Sequence, residues 1–236
     1  MSALSSSDLL DLWERGSGLH PLDRGLLALS VAFPEVPRES FADWTLGRRN
    51  QVLIELHCSL FGAPLEGWAV CTRCGEKMEF EINGRALVNE TAVAISREQT
   101  ILFKDQFFRL PTSRDLAEAM QQKESEGAAL WLMEQCRTNA AEAICWTEDE
   151  VDRVGEKMAE ADPLAELRIT LDCPACGNVS NETIEIISFI WSKIEARAKR
   201  LAWEVHEIAS AYGWTESDVL SLSPARRALY LDMVQA

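Results

Sequence analysis

Two short stretches decide how this chain is read: Cys71-Thr72-Arg73-Cys74-Gly75 and Cys173-Pro174-Ala175-Cys176-Gly177. Both have the form Cys, two residues, Cys, Gly. Two thiolates at that spacing can point at one metal ion from a tight turn whose backbone N–H groups donate to the sulfurs. The Gly after the second Cys permits the positive φ that such turns favour. Strand-like runs flank each pair. Trp68 to Val70 precede the first, and Met78, Phe80 and Ile82 alternate with Lys77, Glu79 and Glu81 after it. Leu167, Ile169 and Leu171 alternate into the second, with Ile184 and Ile186 as its return. Each pair therefore sits at a hairpin tip, and two such tips face to face give the tetrahedral four-sulfur shell of a zinc ribbon. The expectation is one structural zinc per chain on Cys71, Cys74, Cys173 and Cys176.

Between Cys74 and Cys173 lie 98 residues, where ribbon pairs are usually roughly 15 to 20 apart. A folded insertion is therefore expected, over about 85–165. Ile101 and Phe103, then Phe107 and Leu110, bracket Lys104-Asp105-Gln106 as a hairpin, and Asn83-Gly84 reads as a turn. Capping boxes at Thr112 with Asp115 and Thr147 with Glu150 start helices. The alternatives are two unrelated turns or a dithiol redox pair. A redox pair favours one CxxC at a helix start, whereas these matching turns each lie between strands.

Outward from this unit the period is helical. Leu9, Leu10 and Trp13, then Leu22, Leu26 and Leu29 behind Pro21, then Val52, Leu53, Leu56 and Leu60 between Thr45 and Gly62, mark three N-terminal helices. The longest helix is expected from about Ser188 to Gly213, with two short capped ones after it. The fold class is α+β: an N-terminal helical region (1–66), a zinc-ribbon-like β unit with its insertion (67–188) and a C-terminal helical region (189–236).

Composition narrows the function. The net charge is −15, of which residues 67–188 carry −11 and residues 189–236 none; this opposes any broad grip on nucleic acid. No run approaches the ~20 apolar residues of a membrane span. Seven cysteines behind an N-terminus without a basic or apolar signal region point to a reducing, cytoplasmic setting. No phosphate loop, dinucleotide fingerprint or nucleophile elbow is present. His206-Glu207 opens like a metalloprotease motif, but Ser210 stands where the second His belongs. Adjacent His57 and Cys58 point apart on a helix, and Cys58, Cys136 and Cys145 read as small buried hydrophobes. The C-terminal helices are neutral, so a DNA-reading helix-turn-helix is disfavoured. Their Trp203, Trp214, Arg226, Arg227 and Tyr230 have the aromatic and Arg character of a protein-binding surface.

Several segments, taken in order, carry a resemblance: LDLWERG at 9–15 with HPLDRGLLAL at 20–29, LGRRNQVLIELHCSLFG at 46–62 leading into CTRCGEKMEFEI, FRLPTSRDLAEA at 108–119, ADPLAELRITLDCPACG at 161–177, and IWSKIEARAKRLAWEVHEIASAYGWTESDVLSLSPARRALYLDMV at 190–234. Together the chain resembles the baseplate hub assembly chaperone family of T-even-type phages, as found in operons for phage-tail-like contractile injection systems. That resemblance implies a non-enzymatic assembly factor or minor baseplate component. Its partners would be hub or spike proteins, and it would be incorporated in the particle or released from it. It supplies no active-site residues. The competing reading is a zinc-ribbon adaptor that binds other proteins or nucleic acid outside a tail.

Overall fold

The computed structural model describes residues 4–95, 100–121, 127–139 and 143–235. Four helices open the chain: α1 (Ser6–Gly16), α2 (Pro21–Ala32), α3 (Arg38–Ala42) and α4 (Leu46–Phe61). The hairpin of β1 (Pro64–Val70) and β2 (Lys77–Asn83) runs into α5 (Gly84–Ile95). A short hairpin, β3 (Ile101–Phe103) and β4 (Gln106–Phe108), precedes α6 (Ser113–Ala119), α7 (Ala128–Cys136) and α8 (Glu148–Ala161). The hairpin of β5 (Leu167–Asp172) and β6 (Val179–Ile184) leads to α9 (Ile186–Tyr212), α10 (Glu216–Ser221) and α11 (Pro224–Gln235). Among the described residues there are three sheets, each two-stranded and antiparallel, and the fold is α+β. Among the described residues no helix is long and apolar enough to cross a membrane.

Local chemistry sets these limits. Ser5, Thr112, Thr147 and Thr215 each exchange hydrogen bonds with the acid three residues on, which satisfies the free N–H groups of a helix start. Thr45 caps α4 and Gly62 ends it. Two signals resolve differently from the sequence reading. Asn83-Gly84 is not a hairpin turn: the Asn83 side chain accepts from the Ala86 N–H at 3.1 Å and starts α5, because β2 already has its partner in β1. Ile186 is not part of the return strand but the first residue of α9, where Glu185 accepts from the N–H groups of Ile187 and Ser188.

The main core draws on sequence-distant elements. Leu12 of α1, Leu27 and Leu29 of α2, Phe41 of α3, Leu53, Ile54 and Leu56 of α4, Leu65 of β1 and Leu167 of β5 meet Ile187, Ile190, Trp191 and Ile194 of α9. The Trp191 ring lies against Gly16, where any side chain would collide with it. A second cluster is built wholly from residues between the cysteine pairs: Ile101, Phe103, Phe108, Leu110, Met133 and Val154, with Trp146 and Met158 at its edge. A third joins Ile208, Val219 and Leu231 with Val205, Trp214 and Tyr230 in the C-terminal helices.

The second cluster is fastened to the main core at the start of α4. There Leu46 N–H donates to Pro111 O (3.1 Å), Gly47 N–H to Asp162 Oδ2 (2.8 Å) and Asn50 Nδ2 to Leu164 O (2.7 Å). The Arg49 guanidinium donates to Ser113 Oγ (3.0 Å) and to Asn50 Oδ1. Arg49 is buried and, among the described residues, bonds no carboxylate directly. Burial pulls its pKa down to about 10 against the opposing charges of Glu185 and Asp162. Burial likewise pushes the Asp162 carboxyl up, while Gly47 N–H, Arg49 and Thr45 hold it back. A polar group buried without partners is costly, so this junction tolerates little rearrangement.

Candidate metal centre

The two hairpins are built alike where they turn. Val70 pairs with Lys77 and Asp172 with Val179, and six residues close each loop. In the first loop Cys71 N–H donates to Glu76 O (2.8 Å) and Gly75 N–H to Cys71 O (2.9 Å); in the second, Cys173 N–H donates to Asn178 O (2.9 Å) and Gly177 N–H to Cys173 O (2.9 Å). Gly75 and Gly177 have φ of +77° and +67°, a left-handed conformation that a side chain would strain. The same sequence form thus folds into the same turn twice. Each hairpin also stands between two helices, α4 and α5 in one case, α8 and α9 in the other.

The tips meet. Sγ of Cys71 lies 3.7 Å from Sγ of Cys176, and Sγ of Cys74 lies 3.5 Å from Sγ of Cys173. All four sulfurs lie within 4.8 Å of one another. With metal–sulfur bonds of about 2.3 Å, the edge of a regular tetrahedron of sulfurs is roughly 3.8 Å, so the spacing suits one ion at the centre. A disulfide needs about 2.05 Å, and all four are free cysteines. Cys71 and Cys173 are buried behind the turns with Met78, with Ala69 and Leu171 partly covering them, while Cys74 is exposed and Cys176 half-buried. The alternation of β2 marks Met78 as the first inward residue after the first tip, the sequence signal for this apolar backing.

Electrostatics favours an ion as well. Backbone N–H groups of Arg73 and Cys74 aim at the Cys71 sulfur and bring its pKa down to about 6. At Cys74 the Glu76 N–H pulls the same way, but the sulfurs of Cys176, Cys173 and Cys71 outweigh it and push the thiol up to about 12. Cys176 is also raised, despite the Asn178 N–H. One thiolate forms readily and then resists the others, so four thiolates together call for a compensating cation. The donor set, the spacing and the backbone donors fit a metal ion such as zinc.

Other residues singled out in the sequence fall elsewhere. His57 is 1% exposed, between Phe61 and Phe189 at ring-centre distances of 5.3 and 5.9 Å. Cys58 and Cys136 are buried and their thiols raised by burial, Cys136 to about 11; Cys145, expected to be buried, is exposed. Of the five residues proposed for partner binding, Trp203 is 45% exposed and Arg226 is exposed. Trp214 and Tyr230 are half-buried, their rings 5.0 Å apart beside Tyr212. Arg227 contradicts the expectation. It is 1% exposed and donates to Glu204 Oε2 (2.9 Å), Leu222 O (2.7 Å) and Ser6 Oγ (3.2 Å), binding α9, α11 and α1 together. Its guanidinium is spent inside the protein.

Comparison of the chain with family models, with curated proteins and with solved structures finds no match.

Proposed function

We propose that the protein is a non-enzymatic assembly factor, or a minor structural component, of the baseplate and hub of a contractile, phage-tail-like injection particle, with one zinc ion as its structural staple. The non-enzymatic part, like the baseplate part, rests on the resemblance; the four-sulfur cluster carries the structural role of the ion. An ion held there has a protein thiolate in each of four positions and none left for water, which is the form of a structural rather than a catalytic zinc site. Among the described residues the first and third hairpins share no ladder of hydrogen bonds; apolar packing at Met78, Leu171, Leu65 and Leu167 holds them together, and the ion would tie their tips into a zinc-ribbon-like unit. The baseplate part rests on the resemblance. Its segments fall on α1, α2, α4, the β1–β2 hairpin, α6, β5 and α9 to α11, which are elements of framework. The partner is a hub or spike protein of the particle, met by the C-terminal helices, where Trp203 of α9 and Arg226 of α11 are exposed. Synthesis and action are in the cytoplasm, with incorporation into the particle as one possible fate.

The test is co-expression with whatever hub and spike proteins the neighbouring genes encode, with elemental analysis of the purified protein; neighbours that include no tail gene would also count against the reading. The expected result is co-purification with one of them, about one zinc per chain, and incomplete baseplates in particles assembled without the chain. Particles of normal form without it, together with no co-purification, would sink the baseplate reading while leaving the metal untouched.

A further inference from the structure

A groove of about 800 Å³ runs among α7, α8, the start of α4 and the start of β5. Its walls include Leu132, Met133, Val151 and Met158. Along α8 the lip is made of Gly155 and Ala159, one turn apart; a Cβ at Gly155 would meet nothing within 4 Å. Bare backbone at the lip lets another helix come to the short end of the usual 8–10 Å axis separation. The charges at the rim do not balance. Glu166 and Arg168 pair with each other at 2.8 Å. Asp152 and Glu156, one turn apart on α8, have no ion pair among the described residues. The remaining acid, Asp162, is engaged with the Gly47 N–H. The unpaired acids, Asp152 and Glu156, therefore lie along one edge of the groove, on α8, which suits an extended occupant better than a small molecule.

We propose that this groove receives an amphipathic helix of a partner protein, apolar toward Leu132, Val151 and Met158 and carrying Lys or Arg beside Asp152 and Glu156. The apolar walls supply the burial and the two free carboxylates choose a cationic flank, which fixes the direction of docking. This inference holds whether or not the partner belongs to a tail.

The test uses the full metal-loaded chain and a labelled helical peptide of about 14 residues, near the shortest length that holds a helix in water, with leucines on one face and lysines beside them. A second peptide carries Glu in place of Lys. Binding is read by fluorescence anisotropy and mapped by backbone amide shifts. The Lys peptide should bind, with shifts gathered over 129–133 and 151–159, and the Glu peptide should not. Gly155→Leu fills the groove at an exposed helical position and should weaken binding by about tenfold or more. Asp152→Lys with Glu156→Lys should do the same, whereas Glu79→Lys with Glu81→Lys on β2 should not. Shifts spread over the whole acidic surface, unchanged affinity in Gly155→Leu, or equal weakening by the β2 reversals would overturn the proposal.

Discussion

Gly47→Ala offers the sharpest test of the junction between the two cores. Helix propensity alone favours Ala over Gly inside a helix by about 0.5–1 kcal/mol. The surroundings reverse that sign. A Cβ at position 47 would overlap the Asp162 carboxylate and stand 2.5 Å from its carboxyl carbon. Asp162 is 1% exposed and cannot swing into water. It must shift and give up the Gly47 N–H, a charged hydrogen bond of about 1.5–3 kcal/mol, and the surrounding core is overpacked at about 1–3 kcal/mol. After the propensity gain the net loss is about 1.5–5.5 kcal/mol. Urea unfolding of the metal-loaded protein at neutral pH measures it. Gly155→Ala, with open space around its Cβ, should instead gain up to about 1 kcal/mol. Asp162→Ala should cost about 1–2 kcal/mol alone but little or nothing in the Gly47→Ala background. Gly47→Ala protein as stable as the parent would refute the reasoning.

Three further outcomes follow from geometry. Cys173→Ser should lose the metal and most folded protein, since thiolate–metal binding is worth about 10 kcal/mol or more against a net stability of about 5–15 kcal/mol. Cys145→Ser should retain both by elemental analysis and melting. Burial, and then the charge of Lys193, lower the His57 pKa below its usual value, with the backbone at Gly62 opposing weakly. The unfolded chain therefore binds the proton first, and stability present above about pH 6.5 is lost as pH falls, by at most about 1.4 kcal/mol per unit. His57→Leu should flatten that slope between about pH 7.5 and 5.5, and identical slopes in metal-loaded samples would remove the effect. Arg227→Ala should cost about 2–4 kcal/mol, softened because Arg200 (3.1 Å) and Arg197 (3.5 Å) still face Glu204; Arg226→Ala should stay within about 0.5 kcal/mol.

Short-range chemistry made much of this legible. The two CxxCG turns, the limits of α4 at Thr45 and Gly62, and the capping boxes are each decided within a few residues, so the residues announce them. Asn83-Gly84 misled because Asn begins a helix and a turn by the same act, accepting a nearby N–H; whether β2 already had a partner decides between them. Arg226 and Arg227 are neighbours with identical chemistry, and only the packing of α11 on α9 sends one into the core. The contacts of Gly47 and Asn50 with residues 162–165 cross more than a hundred positions. Alternation and periodicity tell which face is buried but not against what.

The order in which a ribosome delivers the four sulfurs has its own consequence. At about 5–20 residues per second, the stretch from Cys74 to Cys173 takes roughly 5–20 s to emerge. Throughout that interval Cys71 and Cys74 form a half-site of two thiolates, open to oxidation and to rival ions. Leu167 arrives only just ahead of the second pair, and the whole of α9, on which the main core closes, arrives after it. Residues 101–154, by contrast, hold their own cluster and can pack before Cys173 appears. Capture of an ion by the four sulfurs would thus be a late event in the life of the nascent chain, and the supply of the metal at that moment would become a checkpoint on whether the completed chain is usable.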